Sequence, residues 1–244
     1  MSIERIHGIV IDIVRHNDRH NVVTLYTRER GRVAFLSPAS QGKAGRLRNA
    51  RLQPLAAIAA DVNFKGSREL QILGAVTPIE IWRDIYFNPA KSAIAMFLSE
   101  FLNTFLRQSE PDASLWDFIF RSVASLDAAR GSVANRHIAF LIGLLPHAGI
   151  QPDISDFDHN RLQWFDMRGG SFTPGMPPHN DRLDPPEANA IPLLSRITAR
   201  NASRFRFSGA DRRRILLGII RYYSVHYPGL GNLKSPAILA ETFA

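Results

Sequence analysis

The stretch from residue 28 to residue 51 is the most strongly basic part of the sequence. It holds seven cations and a single acid, Glu29. Most of the cations are arginines, whose planar guanidinium group matches the geometry of phosphate oxygens. The chemistry indicated is therefore the binding of a phosphate-bearing molecule. The seven basic residues are Arg28, Arg30, Arg32, Lys43, Arg46, Arg48 and Arg51.

The segment QGKAG around Lys43 resembles part of a nucleotide-binding loop. Such a loop needs the pattern G-x-x-x-x-G-K-[ST], because the hydroxyl group after the lysine binds magnesium. Here Lys43 is followed by Ala44, and Ser37 stands where the first glycine is required. Both ends of the motif therefore fail, which disfavours a nucleotide site. The density of cations in this stretch favours a polyanionic partner.

The spacing of the basic residues suggests two ways of presenting them. Arg28, Arg30 and Arg32 alternate, so on an extended segment they would point to one side. The basic residues from 43 to 51 are expected on a flexible loop with two glycines. Tyr26 and Phe35 flank the patch, and either they stack on bases or they belong to the core of a barrel.

A second basic cluster lies near the C-terminus, before and within an apolar helix predicted over 210–227. Three successive arginines cover too wide an arc of a helix to belong to a core. They predict either a second polyanion contact or a dock for an acidic peptide. The cluster consists of Arg204, Arg206, Arg212, Arg213 and Arg214.

Patterns for catalysis and metal binding are weak. The chain has no cysteine, which excludes disulfides and thiolate metal sites. No G-x-S-x-G nucleophile motif is present. His16, Asp18 and His20 fall in a predicted turn, and the spacing of the later histidines matches no zinc pattern. We therefore predict no catalytic residue, no metal, no cofactor and no enzymatic activity.

The order of hydrophobic patterns predicts an α+β protein. Five short strands within the first 80 residues favour a small closed barrel, of which the OB-fold is the simplest candidate. Helical spacing then begins at Asn88, a predicted N-cap followed by Pro89. We place an OB-fold domain at 1–82 and a helical domain at 83–244. An irregular insertion at about 151–190 carries a β-hairpin that turns at Gly169 and Gly170.

Charge and hydropathy restrict the partners and the cellular location to be expected. The net charge is +8, and the basic excess lies at the two ends of the chain, around a more acidic middle. Clustering of this kind favours a polyanionic partner. No uncharged apolar run reaches 18 residues, and charges interrupt the apolar N-terminal segment. We expect a cytoplasmic, nucleoid-associated protein with no membrane partner.

Several segments together resemble the RecO family of bacterial recombination mediators over nearly the whole chain. They are GIVIDIVRHNDRHNVVTLYTRERGRVAFLSPAS, LQPLAAI, IAFLIGLLPHAGIQPDI and LKSPAILAE. The resemblance implies an N-terminal OB-fold, a helical C-terminal domain and no catalytic chemistry. It implies binding of single- and double-stranded DNA and annealing of complementary strands. Lys234, in the LKS segment, joins the C-terminal cluster as a partner-binding candidate.

The same resemblance implies partners. They are the acidic, apolar C-terminal tail of single-strand-binding protein, RecR and in some bacteria RecF, and indirectly the RecA recombinase. Many family members also carry a four-cysteine zinc module after the segment Gly149 to Asp153, which this cysteine-free chain lacks. Two alternatives stay open. One is a protein adaptor that binds acidic tails without touching DNA, and the other is an enzyme that acts on nucleic acid.

Overall fold

Alternating apolar residues near the N-terminus form a curled six-stranded sheet. Its strands are β1 (Glu4–Arg15), β2 (His20–Thr27), β3 (Gly31–Pro38), β4 (Ala57–Val62), β5 (Gln71–Ile72) and β6 (Val76–Pro78), and helix α1 (Lys43–Arg51) lies between β3 and β4. The strand order is β5-β3-β2-β1-β4-β6, and only the β3–β5 pairing is parallel. The computed structural model describes residues 3–39, 42–107 and 109–243.

The two edges of this sheet meet through one short segment. Strands β5 and β6 form opposite edges, yet they belong to the same stretch of chain, 71–78. Gly74 lies between them, where a Cβ atom would collide with the carbonyl oxygen of Asp61. Only glycine permits this close approach of two backbone segments. The enclosed core is apolar and includes Ile6, Val10, Val23, Leu25 and Phe35.

Two helices cover the outer side of the sheet. They are α2 (Pro89–Phe105) and α3 (Ala113–Asp127). Asn88 caps α2 by accepting hydrogen bonds from the backbone of Ala90 and Lys91, as the sequence predicts. The hydroxyl of Ser99 in α2 donates to the carbonyl of Ile11 at 2.5 Å. This packing places α2 and α3 in one compact unit with the sheet, Met1–Ala128.

The second compact unit, Ala129–Ala244, is mainly helical. Its helices are α4 (Arg136–Leu144), α5 (Pro185–Ala188), α6 (Ile191–Leu194), α7 (Gly209–His226) and α8 (Ser235–Thr242). A small sheet with the order β8-β7-β9 is built from β7 (Trp164–Asp166), β8 (Ser171–Thr173) and β9 (Arg182–Leu183). The predicted hairpin is confirmed, since β7 and β8 pair on either side of Gly169 and Gly170.

The structure corrects one local prediction. Residues 43–51 form a helix rather than a flexible loop. The prediction gave weight to Gly42 and Gly45, but Gly42 precedes the helix and Gly45 is buried within it. Tertiary contacts of the arginines hold this helix, which has no continuous apolar face of its own.

The expected α+β class agrees with the observed mixture of sheet and helices, and the OB-fold and the division after residue 82 stay predictions.

No helix among the described residues is long and apolar enough to cross a membrane.

Candidate nucleic-acid interface

Arg28 and Arg32 contact the helices that cover the sheet. Arg28 donates to Asp117 at 3.1 Å and lies 5.9 Å from the ring centroid of Trp116. Arg32 donates to Asn103 at 2.9 Å and is partly buried. Burial and the neighbouring Arg107 lower the pKa of Arg32, although an arginine remains charged at neutral pH. Both side chains therefore stabilise the packing of α2 and α3.

Arg30 has a different set of contacts. Its Nε and one terminal nitrogen donate to both carboxylate oxygens of Glu4, at 2.6 to 3.0 Å. Its Cζ lies over the ring of Phe64, 4.2 Å from the centroid. The hydrogen bond to Glu4 raises the pKa of Arg30. The expectation that Arg28, Arg30 and Arg32 point to one side is therefore wrong, because residues 28–30 form the turn between β2 and β3.

Arg48 and Arg51 fix α1 to the segment that joins the sheet edges. Arg48 donates to the carbonyls of Leu73, at 2.8 Å, and Gly74. Arg51 donates to the carbonyl of Val76 at 2.7 Å. The carbonyls of Leu73 and Gly74 lie in the gap between β5 and β6, and that of Val76 belongs to the first residue of β6, so the arginines supply donors to the backbone on both sides of the gap. The side chains of Lys43 and Arg46 lie outside the described part of the structure.

Other cations of the first unit remain available to a polyanion. Arg19 and Arg68 are exposed and Lys65 is partly exposed. Within the described residues, none of these three side chains forms a hydrogen bond or an ion pair. Sequence reasoning passed over them because it ranked the basic residues by local density. The signal that could have pointed to them is their position in predicted loops between strands, because such loops carry nucleic-acid contacts in OB-folds.

The loop between β4 and β5 holds its cations in a fixed backbone. Gln71 is buried, and its side-chain oxygen accepts from the backbone nitrogen of Lys65 at 3.0 Å. Its side-chain nitrogen donates to the carbonyls of Lys65 at 3.0 Å and of Arg68 at 2.7 Å. The loop has no strand pairing of its own, and these three hydrogen bonds between the Gln71 side chain and the loop backbone hold it in place. Lys65 and Arg68 are therefore presented from an ordered backbone.

The three successive arginines near the C-terminus lie in three different environments. Arg212 is half-buried, and its guanidinium donates to Asn135, Phe207 and Phe243 at 2.9 to 3.1 Å. Arg214 forms an ion pair with Asp211, one turn away on α7, at 3.0 Å. Arg213 is exposed, as are Arg204 and Arg206. Only part of the cluster is thus free to bind a partner.

A cationic groove lies between α4, the start of α7 and α8. Its volume is about 230 Å³, and within the part of the chain that the structure describes its charged lining residues are Arg212, Arg213 and Lys234, without an acidic side chain. Leucines, Pro236 and Phe243 form most of the remaining wall. A larger apolar groove of about 350 Å³ lies on the other side of α7. Its charged residues are Glu187, Asp211 and Arg214, so it has no cationic excess.

The aromatic residues beside the first basic stretch belong to the interior. Tyr26 and Phe35 are both fully buried. Burial also raises the pKa of the Tyr26 hydroxyl to about 12. Phe35 belongs to the apolar core enclosed by the sheet. Tyr26 is buried on the side of the helices, where its hydroxyl lies 3.5 Å from the carbonyl of Asp112 at the start of α3, so neither ring is accessible for base stacking.

Two family models divide the chain between them. The model "Recombination protein O N terminal" matches residues 1–82, and the model "Recombination protein O C terminal" matches residues 86–237. The DNA repair protein RecO of Porphyromonas gingivalis is 35% identical over 238 residues, 97% of each chain.

The chain belongs to the RecO family.

More distant relatives extend over the same length. The DNA repair protein RecO of Bacteroides fragilis is 31% identical over 237 residues, 97% of each chain. That of Flavobacterium psychrophilum is 26% identical over 238 residues, 97% of this chain and 98% of the relative. The resemblance read from the sequence segments is thereby confirmed.

Aromatic packing and ion pairs stabilise the hairpin and the loop that follows it. Phe165 and Phe172 pack edge to face across the hairpin, with ring centroids 5.3 Å apart. Arg168 donates to Asp181 at 2.7 Å, and His179 lies 3.4 Å from Asp166. Among the described residues, no group of three histidine or acidic side chains is arranged to hold a metal ion.

Proposed function

We propose that the chain is a non-enzymatic mediator of recombinational DNA repair. It binds single- and double-stranded DNA, anneals complementary strands, and helps to load the RecA recombinase onto DNA coated by single-strand-binding protein. The observation that carries this proposal is the match of both RecO family models, which together span residues 1–82 and 86–237. The relatives compared above all bear the name DNA repair protein RecO.

The connectivity of the sheet supports an OB-fold. In that five-stranded Greek-key barrel, the first strand pairs with the second and the fourth, and a helix precedes the fourth. Here β1 pairs with β2 and β4, and α1 precedes β4. If β5 and β6 are the two halves of one fifth strand interrupted at Gly74, this strand closes the barrel between β3 and β4.

The DNA-binding surface in this proposal uses the basic residues of the first unit in two ways. Arg19, Lys65 and Arg68 bind phosphates directly, since no protein group competes for them among the described residues. Arg28, Arg32, Arg48 and Arg51 hold the surface in shape, Arg30 is held on it by Glu4, and α1 adds Lys43 and Arg46. Binding of this kind neutralises phosphates and releases counterions, so its affinity falls with salt and is largely independent of sequence.

The cationic groove is the proposed dock for the acidic, apolar tail of single-strand-binding protein. Such a tail needs positive charge for its carboxylates and an apolar wall for its end. The groove beside Arg213 and Lys234 offers both, whereas the larger groove lacks a cationic excess. RecR and, where present, RecF complete the proposed set of partners.

The test is a titration of a labelled single-stranded oligonucleotide, followed by fluorescence anisotropy over a series of salt concentrations. A variant with Arg19→Gln, Lys65→Gln and Arg68→Gln removes three phosphate contacts. Each contact to single-stranded DNA contributes about 0.7 to the slope of log affinity against log salt, so the slope should fall by about 2. The control is Arg130→Gln, Arg196→Gln and Arg200→Gln, three exposed arginines of the second unit.

An equal fall in slope for the control would contradict the assigned surface, because net charge alone would then explain the binding. Failure of the unaltered chain to bind DNA at low salt would reject the mediator function. The second candidate, an adaptor for acidic tails, would then be favoured. One observation supports it, because five arginines of the first basic stretch already have protein partners.

A further inference from the structure

The turn between β2 and β3 holds the backbone of Arg30 in one position. The buried hydroxyl of Thr27 donates to the carbonyl of Gly31 at 2.9 Å and accepts from the backbone nitrogen of Arg30 at 3.1 Å. Gly31 has a φ of +64°, and a Cβ atom there would lie 2.8 Å from the carbonyl oxygen of Ser109. The turn therefore requires glycine and has little freedom to move.

The side chain of Arg30 is fixed as firmly as its backbone. The Glu4 carboxylate accepts hydrogen bonds from two of its nitrogens, the forked arrangement that restricts a guanidinium group most strongly. The ring of Phe64 lies against one face of the guanidinium, with 4.2 Å between Cζ and the ring centroid. Even so, 47% of the Arg30 side chain is exposed. One guanidinium face is thus covered, and the exposed part of the side chain faces solvent.

Phe64 is itself anchored to the core. It packs edge to face against the buried Phe35, with ring centroids 6.3 Å apart. The next residue along the chain is Lys65, and Arg68 follows in the loop that Gln71 holds in place. A planar cation on an aromatic ring is therefore accompanied by two cations without partners among the described residues.

From this arrangement we infer that Arg30, seated on Phe64, is a stacking platform for a nucleobase of single-stranded DNA. Lys65 and Arg68 bind the phosphates on either side of the stacked base. The inference rests on the proposed function and names the contact that distinguishes a single strand, in which base faces are accessible, from a duplex. Protein arginine planes are established stacking partners of unpaired bases.

The ion pair between Arg30 and Glu4 favours a base over a phosphate as the ligand of Arg30. A carboxylate 2.6 Å from the guanidinium cancels most of its net charge and repels an incoming phosphate. The face of a base carries no net charge, so it is not repelled. The fixed guanidinium also loses little side-chain entropy when a base stacks on it.

The experiment compares two oligonucleotides of equal length and charge, one with bases and one composed only of abasic nucleotides. Arg30→Lys keeps the charge and removes the plane. We expect about a tenfold loss of affinity for the oligonucleotide with bases and no change for the abasic one. Phe64→Leu removes the seat of the guanidinium and should act in the same direction.

Arg5→Lys is the matched control, because Arg5 is an exposed arginine whose described contacts are with Asp61 and Thr77. It should leave both affinities unchanged. A 2-aminopurine base in the oligonucleotide gives a second readout. Its fluorescence should be quenched on binding to the unaltered chain and less quenched with Arg30→Lys, which a purely structural role of Arg30 would not produce.

Three results would overturn the inference. An equal loss for both oligonucleotides would make Arg30 a phosphate contact, and no loss for either would make it a structural residue. Failure of the unaltered chain to bind either oligonucleotide would reject the proposed function together with the stacking platform. Circular dichroism of each variant establishes that it is folded before its affinity is interpreted.

Discussion

Arg212 and Arg213 are adjacent in sequence and have opposite surroundings. Arg212 donates to three groups of its own unit, while Arg213 is exposed at the cationic groove. Behind Arg212, the buried His137 packs against Phe243, with ring centroids 6.0 Å apart. Burial, together with the charge of Arg212, lowers the pKa of His137 to about 3. The wall of this groove therefore contains a histidine that stays neutral in the folded state.

This depressed pKa predicts a loss of stability in mild acid. Between pH 6.5 and about 3, the unfolded chain binds a proton at His137 and the folded chain does not, so stability falls as the pH falls. At pH 5 the loss from this residue is about 2 kcal/mol. Urea unfolding at pH 7.5 and pH 5 should show this loss in the unaltered chain and not in His137→Phe. Equal pH dependence in both chains would contradict the prediction.

At the level of elements, the short segment with β5 and β6 joins the two edges of the sheet. Helix α1 contacts this segment through Arg48, which donates to the carbonyl of Leu73 in the gap between β5 and β6, and through Arg51, which donates to that of Val76 in β6. The indole nitrogen of Trp82 also donates a hydrogen bond to the carbonyl of Leu55, at 3.0 Å, in the segment between α1 and β4. Leu55 is buried with a φ of +63°, a conformation that costs a leucine energy and that these contacts must maintain. Helix α1 and the interrupted strand therefore stabilise one another.

Gly74→Ala tests this closure. The added methyl group would meet the backbone of Asp61, which lies in β4 and is paired with Arg5 of β1, so the clash disturbs that pairing or displaces the segment of Gly74. We expect a loss of about 2 to 3 kcal/mol in the free energy of unfolding, measured with urea. Gly66→Ala is the control, since nothing lies within 4 Å of its added Cβ atom, and it should leave stability nearly unchanged. Similar effects of both substitutions would refute a specific role of Gly74.

At the scale of the whole molecule, each compact unit carries its own basic surface. The loops of the first unit present Arg19, Lys65 and Arg68, and the second unit presents the cationic groove. In the proposed function these surfaces bind different partners, DNA on the first and an acidic tail on the second. A mediator needs both, because it must bind DNA while it engages the protein that coats it.

If the two surfaces bind different partners, a substitution in one surface should weaken binding of one partner only. Arg213→Ala combined with Lys234→Ala should weaken binding of an acidic peptide with an apolar end about tenfold or more. It should leave the affinity for single-stranded DNA unchanged. Calorimetry with the peptide and anisotropy with the oligonucleotide measure the two affinities on the same preparation. A parallel loss of DNA affinity would instead make the groove a second polyanion contact.

Much of the fold could be predicted from local patterns. The strands of the first 80 residues, the capped start of α2 at Asn88 and the hairpin at Gly169 and Gly170 all follow from signals within a few residues. Helix α1 could not be predicted in this way. Its arginines bind carbonyls about 25 residues further along the chain, and no local pattern reports such contacts.

The family, the α+β class and the presence of two basic clusters in a chain without cysteine can all be predicted from the amino-acid sequence. Composition and motif order carry this information because they do not depend on which side chains meet. Which cations are free to bind a partner depends instead on the folded arrangement. An arginine has the same charge whether it pairs with Glu4, binds a carbonyl or faces water, and its partners come from distant parts of the chain. The folded arrangement therefore separates Arg48 and Arg212, which hold the fold, from Arg68 and Arg213, which remain available to bind a partner.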